Sequence, residues 1–178
     1  MSLLSFCSHE IFLVTASHEG RDSGFIATWI MPATLVPDRP RIVGVFSPQN
    51  FTFNLLQQSK KFIVHLLAED QVDLLPHFGL TSSRNLNKFE GMDVQRSAHG
   101  IPIISGTCGY MECQLVDQLD SGDRIICLAD VTKEDVDATK KPLRKETAFE
   151  TLSPEIVQKL IEKRIVDGQR DRQFIKRF

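Results

Sequence analysis

The sequence predicts a mainly β protein: a closed or nearly closed antiparallel barrel with a few peripheral helices and one helix at the C-terminal end. Three observations carry this reading. Short apolar and β-branched runs dominate the first two-thirds of the 178-residue chain. Polar turn clusters join them as they join hairpins, not as crossover helices join parallel strands. A long helical period appears only after Ser153.

In chain order, Ile11–Ala16 is an apolar strand, and the polar stretch Ser17–Gly24 reads as the turn after it. Phe25–Met31 reads as its hairpin partner. Pro32, Pro37 and Pro40 mark a loop or edge segment. Arg41–Phe46 is β-branched enough for a central strand, and Phe62–Leu67 is another. Between them Thr52 can cap a short helix over Phe53–Ser59. Glu69–Phe78 places Val72, Leu75 and Phe78 on one helical face, with Gly79 as a stop. In Gly109–Val116, Met111, Cys113 and Leu115 alternate with polar or aromatic neighbours, as in a half-buried strand. Arg124–Val131 follows across the turn Asp120–Asp123. Ser153 as N-cap and Pro154 at the first position open the last helix. Its stripe is Ile156, Val157, Leu160, Ile161 and Ile165, and Gly168 is its expected end. That stripe needs cover from its own barrel or from a second chain. The tail from Gln169 carries Arg170, Arg172, Lys176 and Arg177, as a solvated end or a docking segment. The expected division is a barrel domain over 1–140 and a helical extension over 141–178.

Composition bounds the function. With 42% hydrophobic and 25% charged residues the chain is expected to fold, and a formal net charge of -2 argues against general nucleic-acid or polybasic membrane binding. No apolar run approaches the ~20 residues of a membrane span. Met1–Phe6 has neither the basic nor the long apolar region of a signal peptide, so a cytoplasmic protein is expected. Cys7, Cys108, Cys113 and Cys127 form no Cys-x-x-Cys pair, and no histidine pair follows at zinc spacing. They read as reduced thiols, the last three inside strands, with no metal site expected. His65, in an apolar strand, reads as a core histidine with satisfied nitrogens.

Three segments carry possible chemistry. In Ala27-Thr28-Trp29-Ile30-Met31 a Thr hydroxyl and backbone amides can meet a planar polar ligand, or the segment is simply a buried strand. Phe46-Ser47-Pro48-Gln49-Asn50-Phe51-Thr52 sets hydroxyls and an amide before a helix, whose N-terminus suits a phosphate or needs only an ordinary cap. Leu80–Phe89 holds three successive hydroxyls with Arg84 and Lys88, a phosphate-binding composition or a solvated basic loop. There is no P-loop and no strand–GxGxxG–helix unit.

Taken in order, Phe12–Thr15, Phe25–Trp29, Pro40–Val45, Ser59–Leu67, Arg84–Gly91 and Gly122-Asp123 resemble the flavin reductase-like FMN-binding split-barrel family. The resemblance covers roughly Phe6 to Asp137 and is strongest toward flavoredoxins and the flavin-binding domains of flavodiiron-type proteins. It implies an antiparallel split barrel, a homodimer, and FMN near the subunit interface. On it, Ala27, Thr28, Trp29, Ile30 and Met31 would line the isoalloxazine. Phe46, Ser47 and Pro48 would run along the ring and ribityl chain. Asn50, Phe51 and Thr52 would approach the ribityl–phosphate end, and Thr81, Ser82, Arg84 and Lys88 would hold the phosphate. Many family reductases read Gly-Asp-His where this chain reads Gly122-Asp123-Arg124. Arg124 cannot shuttle protons at neutral pH. It could instead contact a substrate phosphate or carboxylate, or form a surface ion pair. The implied activity is reduction of bound FMN by NADH or NADPH. The alternatives are a flavoredoxin-like carrier served by an electron-transfer partner, and a non-redox FMN-binding module.

Overall fold

In a computed structural model of the chain, described at Leu3 and over residues 9–84 and 86–176, seven strands form one antiparallel sheet. The readings that fall on Phe6, Cys7, Asn85 and Arg177 lie outside those residues. The strands are β1 (Phe12–His18), β2 (Arg21–Ala27), β3 (Ile30–Pro32), β4 (Arg41–Phe46), β5 (Lys61–Leu66), β8 (Gly109–Asp120) and β9 (Ile125–Val136), and β6 (Val94–Arg96) and β7 (Pro102–Ile104) make a separate hairpin. The sheet order is β2-β1-β5-β8-β9-β4-β3. Four helices accompany it: α1 (Phe51–Ser59), α2 (Leu74–Gly79), α3 (Lys145–Thr151) and α4 (Pro154–Asp171).

The connection from β2 to β3 dictates the shape. These strands occupy opposite edges of the sheet, yet only Thr28 and Trp29 separate them. Three Cα–Cα steps reach at most ~11 Å. A flat sheet with six inter-strand gaps would need roughly 29 Å. The sheet therefore curls until its edges meet at Thr28–Trp29, giving the predicted barrel. The sequence reading of Phe25–Met31 as one strand is corrected here: the chain leaves β2 at Ala27 and joins the far edge, where the Val45 N–H donates to the Trp29 carbonyl at 2.9 Å.

The first turn is also shorter than its composition suggests. Glu19 and Gly20, at φ +48° and +74°, make a two-residue turn, and His18 pairs directly with Arg21. Arg21-Asp22-Ser23-Gly24 is strand despite its polarity because each buried member has a reason to be there. The Ser23 hydroxyl is hydrogen-bonded to that of Thr52 at 2.7 Å, and a Cβ at Gly24 would stand 3.0 Å from the Phe78 ring. β8 and β9 run to Asp120 and Val136, beyond the apolar stretches that announce them, because their outer ends are exposed. The Glu69–Phe78 helix is a 3₁₀ turn over Glu69–Gln71 followed by α2. The β6–β7 hairpin and α3 gave no periodic signal strong enough to be read. α4 continues past Gly168 to Asp171, since arginine and aspartate side chains hold its last turn.

Two apolar layers result. The barrel interior holds Val14, Phe25, Ile42, Phe46, Phe62, Val64, Cys113, Leu115 and Cys127, with Phe53 and Leu56 of α1 packed among them. A second layer outside β1 gathers Leu13, Leu67, Leu75, Phe78, Phe89 and Leu143. α4 lays Ile156, Val157 and Leu160 of the predicted stripe on that layer but leaves its other two members, Ile161 and Ile165, exposed together with Val166. Cys113 and Cys127 are buried in β8 and β9, and burial pushes both thiols up to about 12. Cys108, also a free thiol, lies in the bend before β8, not in the strand.

His65 is fully buried with both nitrogens satisfied: Nδ1 meets the Leu13 carbonyl at 3.0 Å and Nε2 accepts the Ile104 N–H at 3.1 Å. Burial lowers its pKa from 6.5 to about 4. Between those values the unfolded chain binds the extra proton, so this contribution to stability is complete above about pH 6.5 and is lost as the pH falls toward 4. The loss is on the order of 3 kcal/mol. Urea midpoints for the parent are expected to fall across that window, and those of His65→Gln, which cannot titrate there, to fall much less. Parallel profiles for the two proteins would contradict this account.

Candidate functional site

The closure point presents the first segment. Trp29, the only tryptophan, is 44% exposed where the sheet edges meet, with Thr28 half-buried beside it. Met31 on the edge strand is exposed as well, while Ile30 packs against the barrel core and Ala27 is buried.

The second segment joins β4 to α1. Asn50, not Thr52, is the cap of α1: its Oδ1 accepts the Thr52 N–H at 3.0 Å, and the helix starts at Phe51. Thr52 is buried with its hydroxyl spent on Ser23. Ser47 Oγ accepts the Gln49 N–H at 3.3 Å, which fixes the turn ahead of the helix. The Phe46 side chain is a core group, 1% exposed, edge-on to Phe25 and Phe62 at ring distances of 5.3 and 6.2 Å. Its placement along a ligand ring is therefore corrected: the Phe46 ring belongs to the barrel core.

The third segment meets the second through arginine. Arg84 Nη2 donates to the Gln49 carbonyl at 3.1 Å, and Arg21 Nη2 donates to the Arg84 carbonyl at 3.2 Å. The Arg21 guanidinium lies 4.4 Å from the centroid of the Phe51 ring. Thr81 and Ser82 are exposed; the Thr81 hydroxyl donates to the His77 carbonyl at 2.5 Å, and Ser82 Oγ accepts the Arg84 N–H at 3.3 Å. Between them stands Ser83, buried, whose hydroxyl is the one buried side-chain oxygen without a hydrogen-bond partner among the described residues. An unsatisfied buried hydroxyl costs about 1–3 kcal/mol. Ser83 directly precedes Arg84 in the chain, so the unpartnered hydroxyl and the arginine belong to one loop.

Lys88 departs from its expected place. It is 3% exposed, and Nζ donates to the carbonyls of Gly24 and Phe78 at 3.0 and 2.9 Å. Burial draws its pKa down to about 8. It ties the loop to β2 and α2 from inside, so its ammonium is not offered to a ligand. Arg21 is the group that sequence reasoning did not assign to the loop, and Ser83, one of its three successive hydroxyls, is not among the phosphate ligands that the resemblance implies. Arg21 sits in what reads as a turn, and no local pattern connects it to Arg84.

Arg124 ends the β8–β9 turn. Its guanidinium carbon is 5.9 Å from the Trp29 ring centroid, and Nη1 donates to Asp171 Oδ2 at 2.7 Å. The Asp171 side chain is 3% exposed, so this is a half-buried pair, not the surface pair considered from sequence. Two clefts, of about 590 and 510 Å³, open on either side of the β1–β2 turn. Of the sequence-predicted residues they touch only Phe51. The Trp29 face is open in a single chain, so it is a surface, not a cavity.

Residues 4–150 match the flavin reductase like domain, and the chain belongs to that family. Among curated relatives, the high molecular weight rubredoxin of Moorella thermoacetica is 28% identical over 127 residues, 70% of this chain and 55% of that protein. The flavin-dependent monooxygenase reductase subunit HsaB of Mycobacterium tuberculosis is 29% identical over 121 residues, 68% of this chain and 62% of its own length. The chain thus spans little more than half of these relatives. A solved FMN-binding protein from Thermus thermophilus superposes with a TM-score of 0.70 at 22% identity, covering 78% of this chain and 77% of the other, and shares the split-barrel fold.

Proposed function

We propose that this protein is an oxidoreductase that binds FMN and reduces it with NADH or NADPH. The observation that carries the reading is the loop at 81–84, where the unpartnered hydroxyl of Ser83 precedes Arg84, whose carbonyl accepts from Arg21. A dianionic phosphate would give that hydroxyl a partner and would draw on the donors the two guanidiniums keep free. In this reading Thr81, Ser82, Ser83 and Arg84 hold the phosphate, with Arg21 behind them. Ser47, Pro48, Asn50 and Phe51 follow the ribityl chain. Thr28, Trp29, Ile30 and Met31 take the ring, whose apolar faces suit the exposed Trp29. When bound, the flavin would supply the redox chemistry of hydride acceptance and onward electron transfer. The protein binds and orients; no side chain need donate a proton.

A second reading, a flavin electron carrier reduced by a partner protein, is favoured by one observation. Arg124 stands in place of the family histidine and is already held by Asp171. The Moorella relative is named a rubredoxin, the mycobacterial one a monooxygenase reductase subunit. Mixing the flavin-loaded protein with each nicotinamide under anaerobic conditions separates the two: bleaching of the flavin absorbance supports the reductase, and none supports the carrier. Either activity suits a cytoplasmic setting, where the free thiols stay reduced.

We also propose a homodimer. The run Trp29, Met31, Leu35 and Val36 is exposed along the edge beyond β3, and Ile161, Ile165 and Val166 are exposed on α4. The chain exposes 10614 Å², against roughly 9,000 Å² for a typical monomer of its mass. A second subunit would cover such surface and turn the open Trp29 face into a pocket.

Arg84→Ala is expected to weaken FMN binding by about 10- to 150-fold, from the ~1.5–3 kcal/mol of a charge-assisted bond, while riboflavin binding barely changes. Titration of the apoprotein with both flavins checks this, and equal losses would remove the phosphate assignment. Sedimentation at micromolar concentration is expected to give twice the 20.2 kDa chain mass. A clean monomer would refute the dimer.

A further inference from the structure

The polypeptide beyond α4 returns to the β8–β9 turn. The Lys176 N–H donates to the Ser121 carbonyl at 3.1 Å, and its Nζ lies 2.6 Å from Asp120 Oδ2. Gly122, at φ +98°, admits the segment: a Cβ there would stand 1.8 Å from the Phe174 carbonyl oxygen. Where the helix ends, Asp171 is buried, with Oδ1 taken by Arg170 at 2.7 Å and Oδ2 by Arg124 at 2.7 Å. Burial pushes this carboxyl up, but the hydrogen bonds from Arg170 and Arg124 outweigh it and hold the group below the usual aspartate range. A carboxylate is therefore fixed behind Arg124 at neutral pH.

Building on the reductase reading above, we infer that Asp171 is a positioning residue. It holds the Arg124 guanidinium at the rim of the Trp29 face, so that the C-terminal segment becomes one wall of the flavin site and Arg124 a prepared cation for the phosphates of the nicotinamide donor. Arginine has five N–H donors, and the contacts to Asp171 and to the Asp123 carbonyl both use Nη1. The donors on Nη2 and Nε stay available. A free arginine side chain loses rotamer entropy when it is fixed. Here the salt bridge has already fixed it before the nucleotide arrives. Asp123 is a poorer anchor than Asp171, since its carboxylate stands 3.5 Å from Arg124 and belongs to the neighbouring residue of the same turn.

Trp29 is the only tryptophan, so its fluorescence reports on this contact without cofactor or turnover. The full-length parent, Asp171→Asn, Asp171→Glu, Arg124→Gln and the double variant Arg124→Gln/Asp171→Asn are compared. Acrylamide quenching of Trp29 is read on apoprotein, and KM for NADH and NADPH is read on FMN-saturated protein. Asp171→Asn is expected to raise Trp29 quenching as Arg124→Gln does. It should raise KM for the better nucleotide about 5- to 20-fold, within the range of coupled pairs, with kcat and FMN retention nearly unchanged. Asp171→Glu, which keeps the carboxylate, should stay near the parent. The double variant should match Arg124→Gln alone, because Asp171 acts through Arg124. If the parent is reduced but Asp171→Asn matches it in quenching and KM, or the two penalties simply add, the role of Asp171 is overturned and the reductase reading stands. If neither nucleotide reduces the parent, the reductase reading falls, and the donor-binding role of Arg124 falls with it.

Discussion

The two-residue passage from Ala27 to Ile30 is the constraint on which the rest of the molecule depends. It joins strands at opposite edges of a seven-stranded sheet, and the reach of the backbone leaves closure as the only solution. Closure gives the barrel an interior, which alternate residues of β1, β4, β5, β8 and β9 fill. It also holds Thr28 and Trp29 out at the seam, where the ladder cannot absorb them. One geometric necessity thus produces both the core and the exposed aromatic surface at which we place the flavin ring.

Around that seam the packing supports the polar loops. Gly44 leaves room for the Phe46 ring, whose Cζ a Cβ at that position would overlap, and Phe46 then anchors the end of β4 just before the Ser47–Asn50 turn. Gly24 does the same for Phe78, and the buried Lys88 joins the carbonyls of both residues. A lysine with this many fixed partners acts as a bracket. It holds the hydroxyl loop against β2, while Arg21 and Arg84, on the outside, supply the charge.

Much of this was legible in the sequence where burial and periodicity coincide. β4, β5 and the inner halves of β8 and β9 are apolar because they face the interior, and the Ser153-Pro154 start of α4 is a local capping signal. The candidate segments 27–31, 46–52 and 81–88 stand out by composition and order alone. What escaped was set by partners distant in sequence. Ser23 reads as a turn residue until Thr52 lies beside it, Lys88 as a surface cation until two carbonyls close on it, and Asp171 as part of a solvated tail until Arg124 reaches it. Phe46 was misplaced for the same reason: in a β-strand the residue next to a functional turn points either outward or into the core, and only the register decides.

The central claim is that a flavin ring lies on the Trp29 seam. Adding FMN to the apoprotein while following Trp29 emission tests it most directly, because no other tryptophan contributes. The account expects strong quenching that saturates at one FMN per chain and follows the same isotherm as the flavin's own absorbance change. Saturable FMN binding that leaves the Trp29 emission untouched would place the ring elsewhere and contradict it.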